Sequence, residues 1–179
     1  MKILAIHSHP DDVEFLCAGT LVLLQQQGHQ IAIASMTPGD KGTPDKAICE
    51  ISAIRREEAR RSASLIGASY TCLEFLDFEL FDDDRSRRIV TEFMRKTQPD
   101  IVLAASPTDY MADHEAASVL ARNATFVAGV RNYQTGEALP LNRIPALYYM
   151  DPLEGTDHFG QAIQPDFCVD IGSSMAMKE

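Results

Sequence analysis

The opening run constrains the architecture more than any other stretch. Lys2-Ile3-Leu4-Ala5-Ile6 reads as a short buried strand, and it runs straight into His7-Ser8-His9-Pro10-Asp11-Asp12-Val13-Glu14. Such strand-like runs recur, each followed by a stretch of helical character. The reading in chain order is a strand over 2–7, a helix over 15–27 closed by Gly28, and a strand over 31–36. A loop at 37–44 follows, rich in the glycine and proline that break both regular structures. Beyond it come a helix over 46–66 closed by Gly67, a strand over 70–76, a helix over 86–96 and a strand over 101–105. A loop over 106–113 precedes a helix beginning near His114, and further strands are expected at 146–150 and 167–171. Strands alternating with helices imply a mostly parallel sheet covered on both faces, and right-handed crossovers give a Rossmann-like, three-layer αβα sandwich. With 179 residues the chain is read as a single domain over 1–179.

Composition narrows the function classes. The net charge of -10 argues against nucleic acid or an anionic membrane surface as a partner. The arginine clusters at 55–61 and 85–88 are read mainly as solvated helix faces, and Asp82-Asp83-Asp84 as solvated loop. Cys17, Cys49, Cys72 and Cys168 form no CxxC pair and no finger spacing. With no secretory leader and no apolar run near the length of a membrane span, a cytoplasmic, reduced protein is expected.

The chemistry concentrates at strand ends. In open α/β sheets ligands bind outside the carboxyl ends of the strands. His9, Asp11 and Asp12 stand just after the first strand, and their nitrogen and oxygen donors suit zinc or another divalent metal. One of the paired carboxylates can ligate while its neighbour acts as a base. After the fourth long strand stands Asp109-Tyr110-Met111-Ala112-Asp113-His114. A doubly wound sheet sets the first and fourth strand ends beside one crevice, which brings His114 toward His9 and Asp12. His7 is read as a packing or supporting residue and His29 as surface. The 39–42 loop lacks the Walker lysine-serine ending, so a nucleotide site has little support.

At these residues the chain resembles the PIG-L/LmbE-like N-acetylglucosaminyl deacetylase family. His9-Pro10-Asp11-Asp12-Val13-Glu14 with Cys17-Ala18-Gly19-Thr20 is similar to its first motif. Thr37-Pro38-Gly39-Asp40-Lys41-Gly42 resembles its glycine-rich loop, Arg55-Arg56-Glu57-Glu58-Ala59 its arginine-bearing helix, and Asp109-Tyr110 with Asp113-His114 its distal metal motif. The motifs keep their order over residues 1 to about 120, and 165–171 fits the family's end more weakly. The resemblance implies a Zn²⁺ site made by His9, Asp12 and His114, a water activated there as nucleophile, and Asp11 as general base. It implies Arg55 at the substrate or its leaving acetate, with Gly39 and Asp40 also on the substrate side, and Asp113 orienting an imidazole. The implied reaction is removal of an N-acyl group, most often acetyl, from a small N-acetylated sugar or conjugate. Fe²⁺, Co²⁺ or Mn²⁺ would also suit such ligands.

Met111 departs from the pattern, because the family usually carries a histidine there and a proline at Ala112. A thioether is a weak acceptor and can neither protonate a leaving amine nor donate to an oxyanion. An alternative reading therefore stands beside the deacetylase: a metal- or sugar-binding module with weakened catalysis. A third is a hydrolase of thiol-sugar conjugates. The C-terminal region is shorter than the family's, a homo-oligomer is an open expectation, and His158 is a residue able to replace the lost histidine. Losing one oxyanion donor costs roughly 10²- to 10³-fold in rate, so Met111→His is expected to raise kcat toward that extent on an N-acetyl sugar if the histidine's function has been lost. An unchanged kcat would show that the site works as it stands or was repurposed.

Overall fold

The computed structural model describes residues 1–178. Its elements are β1 (Lys2–His7), α1 (Asp12–Gln26), β2 (Gln30–Ser35), α2 (Ile48–Leu65), β3 (Ser69–Cys72), α3 (Asp84–Thr97), β4 (Ile101–Ala104), α4 (Ala112–Val127), β5 (Ala146–Tyr149) and a short α5 (Met175–Lys178). The five strands form one sheet in the order β3-β2-β1-β4-β5, and every pairing is parallel. The chain winds outward from β1 to β3 and then returns to the other side of β1 for β4 and β5. Strand order thus reverses between β1 and β4, and a crevice opens above their carboxyl ends. The expected α/β sandwich is the observed one.

Central β1 shows why the sheet must be covered twice. Leu4 and Ile6 point into a core shared with Val90 and Met94 of α3 and Leu120 and Ala124 of α4. Ile3 and Ala5 point the other way, onto Val13, Cys17 and Leu21 of α1. A run apolar at successive positions is stable only where both pleated faces are buried. Turn chemistry sets the helix ends. Gly28 and Gly67 have φ of +82° and +64° just beyond α1 and α2, a conformation that costs glycine least. The Asp83 side chain accepts from the Ser86 amide and caps α3. The Asp82-Asp83-Asp84 run is therefore a capped and ion-paired helix start, with Asp82 on Arg87 and Asp84 on Arg88.

Several boundaries differ from expectation. α1 starts at Asp12 rather than Phe15, because Asp11 adopts φ 88° and turns the chain into the helix at once. β3 stops at Cys72 rather than Leu76, two residues before Glu74 enters the left-handed region at φ 62°. α2 is apolar only over its middle: Ile51, Ala59 and Ala63 are buried, whereas Ile48 and Leu65 are exposed. The strand expected at 167–171 does not form. Phe167 is 62% exposed and no sheet partner is present. Instead Ile171 seats against Gly19 of α1, the Ser174 hydroxyl donates to the Gly19 carbonyl at 2.9 Å, and α5 follows on the same helix. The segment 172–178 therefore has a structural partner that its sequence does not announce. No helix among the described residues is long and apolar enough to cross a membrane.

A Cβ on Gly19 would lie 2.7 Å from Ile171 Cδ1. Gly19→Val is expected to dislodge the segment after residue 165 at a cost of about 1–3 kcal/mol. Limited proteolysis should then cut that segment faster while far-ultraviolet circular dichroism stays near that of the parent protein.

Candidate active site

The crevice is furnished first by the turn that joins β1 to α1. His7 ends the strand fully buried, and its Nδ1 donates to Asp12 Oδ2 at 2.6 Å. The His9 amide donates to the same oxygen at 2.7 Å. One carboxylate oxygen of Asp12 is thus fixed by two donors, which leaves Oδ1 for something else. Burial alone would raise the Asp12 pKa, but the hydrogen bonds from His7 and His9 win and hold it far below the usual carboxylate range. Asp12 is an anion pinned at the base of the crevice.

The N-terminus of α4 supplies the opposite wall. His114 Nε2 lies 3.5 Å from Asp12 Oδ1, and its Nδ1 is 2.9 Å from Asp109 Oδ1. His9 has a matching arrangement: Nδ1 lies 3.4 Å from Asp12 Oδ2, and Nε2 is 3.2 Å from Asp113 Oδ2. Both imidazoles have one nitrogen against a buried carboxylate and the other toward Asp12. That is how histidine ligands of a metal are usually oriented, with the outer carboxylate fixing the tautomer. The three residues whose ligand atoms all lie within 4.8 Å of one another are His7, Asp12 and His114, with His7 where the sequence led one to expect His9. His7 Nε2 is buried without a hydrogen-bond partner. Its Nδ1 is engaged by Asp12, which leaves Nε2 as the one uncommitted nitrogen of the ring. Two imidazoles and a carboxylate with a free oxygen form a donor set that fits a divalent cation. Burial opposes protonation of His9, but hydrogen bonds to Asp12 and Asp113 outweigh it and leave its pKa raised.

Asp11 stands beside this cluster and outside the Asp12 hydrogen-bond set. It makes no side-chain cap of α1 and pairs with Arg55 Nη2 at 2.9 Å. The same Arg55 nitrogen donates to the Pro10 carbonyl at 2.5 Å, so Arg55 clamps the turn as well as the carboxylate. This is a partner different from the surface ion pair with Glu58 that the helix spacing permits. Burial raises the Asp11 pKa; Arg55 lowers it in part, and Asp12 pushes it up. Gly39, at φ +71°, passes under Arg55 so closely that a Cβ would lie 3.0 Å from Nε. Asp40 is buried and its Oδ1 accepts from the Asp77 amide. Asp77 Oδ2 accepts from the Lys41 amide, and the Phe78 amide donates to Asp113 Oδ2 at 2.8 Å.

The structure thus brings His9, Asp11, Asp12, Asp113 and His114 to one crevice, sets Arg55 on Asp11, and uses Gly39 and Asp40 to shape the wall behind them. Met111 is the N-cap residue of α4, with no side-chain cap. His158 does not stand in its place: it rests on Thr108 at 3.1 Å and Glu115 at 3.3 Å. Sequence reasoning gave no role to Asp109 or Asp77 and only a general one to His7. Asp109 lies within the distal motif, and its spacing of five residues from His114 was the available signal. For Asp77, buried with Oδ1 unpartnered and 4.0 Å from His9 Nε2, no local pattern marked it. A cavity of about 490 Å³ lies at the far end of the strands, around Lys2, Lys96 and Asp100, away from all these groups.

The chain has relatives among known proteins. A family model described as GlcNAc-PI de-N-acetylase, PIG-L, matches residues 4–125. The chain is 27% identical over 157 residues to a 4-oxalmesaconate hydratase of Pseudomonas putida, covering 83% of this chain and 60% of that protein. It is 25% identical over 157 residues to a 1D-myo-inositol 2-acetamido-2-deoxy-alpha-D-glucopyranoside deacetylase of Corynebacterium diphtheriae, covering 68% of this chain and 53% of the relative. It therefore spans less than two thirds of either curated relative. Among solved structures, an N,N'-diacetylchitobiose deacetylase from Pyrococcus horikoshii superposes with a TM-score of 0.85 at 29% identity, over 99% of this chain and 66% of that one.

The Asp12 network also has a stability consequence. Its depressed pKa contributes stability that is fully present above the ordinary aspartate value and is lost as pH falls toward the much lower folded-state value. Asp12→Asn, measured by urea unfolding without added metal, is expected to cost about 1–3 kcal/mol at neutral pH. The gap between parent and variant should narrow as the pH drops below about 4.

Proposed function

The chain belongs to the PIG-L family, and from that premise we propose that it is a divalent-metal-dependent amidohydrolase that removes an N-acyl group, most simply acetyl, from an amino sugar or related conjugate. The observation that carries the reading is the pair of imidazoles facing Asp12, each backed by its own carboxylate. His9, Asp12 and His114 would hold the ion, with Zn²⁺ the first choice. A bound divalent ion would supply Lewis acidity toward the acyl carbonyl and acidify water in the site.

The protein's own groups divide the remaining work. Asp11 is close to the cluster yet free of it, and burial keeps its carboxylate more basic than an exposed one. It accepts a proton as water attacks the acyl carbon. The protonated Asp11 then returns that proton to the leaving nitrogen as the C–N bond breaks, giving a carboxylic acid and a free amine, which become acetate and ammonium by passing the acid's proton to the amine. No histidine shares this duty at position 111, which makes Asp11 the proton carrier for both steps. Arg55 orients Asp11 through Nη2 and also fixes Pro10, so the base cannot swing away from the attacking water. Asp113 and Asp109 hold the imidazoles of His9 and His114 in position, Asp40 holds the Asp77 loop, and Gly39 lets Arg55 lie flat.

A second reading has a specific observation behind it, the match to the Pseudomonas putida hydratase over 83% of this chain. Water addition to an alkene needs a base but no proton for a leaving amine, so Met111 would do no harm there. The lining speaks for the amide substrate instead. A polycarboxylate would meet Asp11, Asp113 and Asp77, and the nearby cations Arg55 and Lys41 are already engaged by Asp11 and by Glu79.

Zinc-loaded protein is expected to release acetate from N-acetylated sugars, and His9→Ala or Asp11→Asn should lower kcat by at least roughly 10²-fold. Unchanged activity in both variants overturns the proposal, and turnover of a conjugated enoate without acetate release establishes the hydratase reading. The pH profile has a defined sign. Activity falls as the pH drops through the raised Asp11 pKa, and because Arg55 lowers that pKa, Arg55→Ala should move the acid limb of kcat/KM to higher pH.

A further inference from the structure

A cavity of about 220 Å³ lies between α1, β2 and the C-terminal end of α2, on the flank of α1 that α5 covers. None of the groups that furnish the crevice lines it. Its walls are mostly apolar, with Val13, Leu21 and Val22 from α1, Ile33 from β2 and Ile66 just past α2. Three polar side chains line it as well, each from a different helix: Glu14 from the first turn of α1, Ser62 from α2 and Lys178 from α5. We propose that this cavity binds a small zwitterion with an apolar side chain, a free α-amino acid of about leucine's size, whose ammonium pairs with Glu14 and whose carboxylate pairs with Lys178. No residue of the crevice takes part, so the site stands independently of the amidohydrolase reading.

Among the described residues neither charge has a counter-ion. The charged neighbours of Glu14 are Asp11 and Asp12, which share its sign, and the Ser62 hydroxyl is the side chain that favours its anion. The arginines of α2 are committed elsewhere: Arg55 to Asp11, Arg56 to Glu74, and Arg60 and Arg61 to Glu57. Lys178 Nζ donates to the Phe15 carbonyl at 2.9 Å, which uses one of the N–H groups of its ammonium and leaves the others. Glu14 and Lys178 nevertheless share a neighbourhood, since their charges act with opposite sign on the buried Cys17 thiol.

Size and charge together define the guest. A cavity of about 150 Å³ holds benzene, and sites for drug-sized ligands begin near roughly 300 Å³, so this volume suits one small molecule. A fatty acid would set its carboxylate against Glu14, and an alkylamine would set its ammonium against Lys178. A purely apolar guest would strip water from both charges and give neither a partner, which is costly. A zwitterion answers both, each through a charge-assisted hydrogen bond. Its side chain would lie among the apolar walls and against Leu65 and Met177, which line the same cavity and are 70% and 52% exposed. Covering that apolar surface adds to affinity.

Isothermal titration of the full chain with L-leucine, glycine, hexylamine and hexanoate tests the site. Glycine carries the same two charged groups and the same power to chelate a metal, so it is the control for binding in the crevice. Leucine should bind with a Kd of about 1 mM or below, and the other three at least roughly tenfold more weakly. Glu14→Gln and Lys178→Ala should each weaken leucine by roughly tenfold. Ala18→Met, which adds volume inside the cavity, should abolish its binding. Lys178 is only partly buried, so Lys178→Ala keeps the test open should Ala18→Met fail to fold. Glycine, hexylamine or hexanoate binding as tightly as leucine overturns the proposal. So does leucine binding that is indifferent to Glu14→Gln and Lys178→Ala, or no binding of leucine at all.

Discussion

Everything at the carboxyl end of the sheet depends on one carboxylate. Asp12 is the first residue of α1, and it is held by His7 from the end of β1 and by the amide of His9 in the turn between them. That pair of bonds fixes where the helix begins and how the turn is shaped. It also fixes where the second carboxylate oxygen points, which is toward His114. A neutral side chain of the same shape would keep the turn's outline, but it would lose the charge that draws two imidazoles to one place. Asp11 next to it has the opposite task and the opposite environment: outside the hydrogen-bond set, partly exposed, and tempered by a single arginine. Two adjacent aspartates are thus driven to different proton affinities by which donors reach them.

The topology makes this economical. Because the strand order reverses between β1 and β4, residues 9–12 and 109–114 face each other although a hundred positions separate them in the chain. Both backing carboxylates come from the second half, Asp113 of α4 for His9 and Asp109, in the loop before α4, for His114. The loop after β3 joins from the side through the Phe78 amide on Asp113, which couples the wall of the crevice to the helix that carries His114.

How much of this could be read from the residues follows from the kind of force involved. β1 was legible because an unbroken apolar run needs two covered faces, and the helix ends were legible from Gly28 and Gly67. The meeting of His9, Asp12 and His114 followed from the rule that strand ends at a switch point share a crevice. Phe167-to-Ile171 misled because an apolar run states that it needs burial without stating where; Gly19 offers Ile171 a hollow on a helix, and no sheet edge was needed. Asp77 and the clamp of Phe78 were invisible, since they depend on backbone amides aimed by tertiary packing, which leaves no period in the sequence.

The seat of Ile171 and Ser174 on Gly19 bears on the order in which the protein can be built. A hydrogen bond across 155 positions ties Ser174 to the helix that carries Asp12. During synthesis one flank of α1 therefore stays bare until residues 171–174 have left the ribosome. Contacts of such long range are the slow ones to form. The helix that opens with Asp12 is thus enclosed on that flank only after the sheet and the other helices have been made.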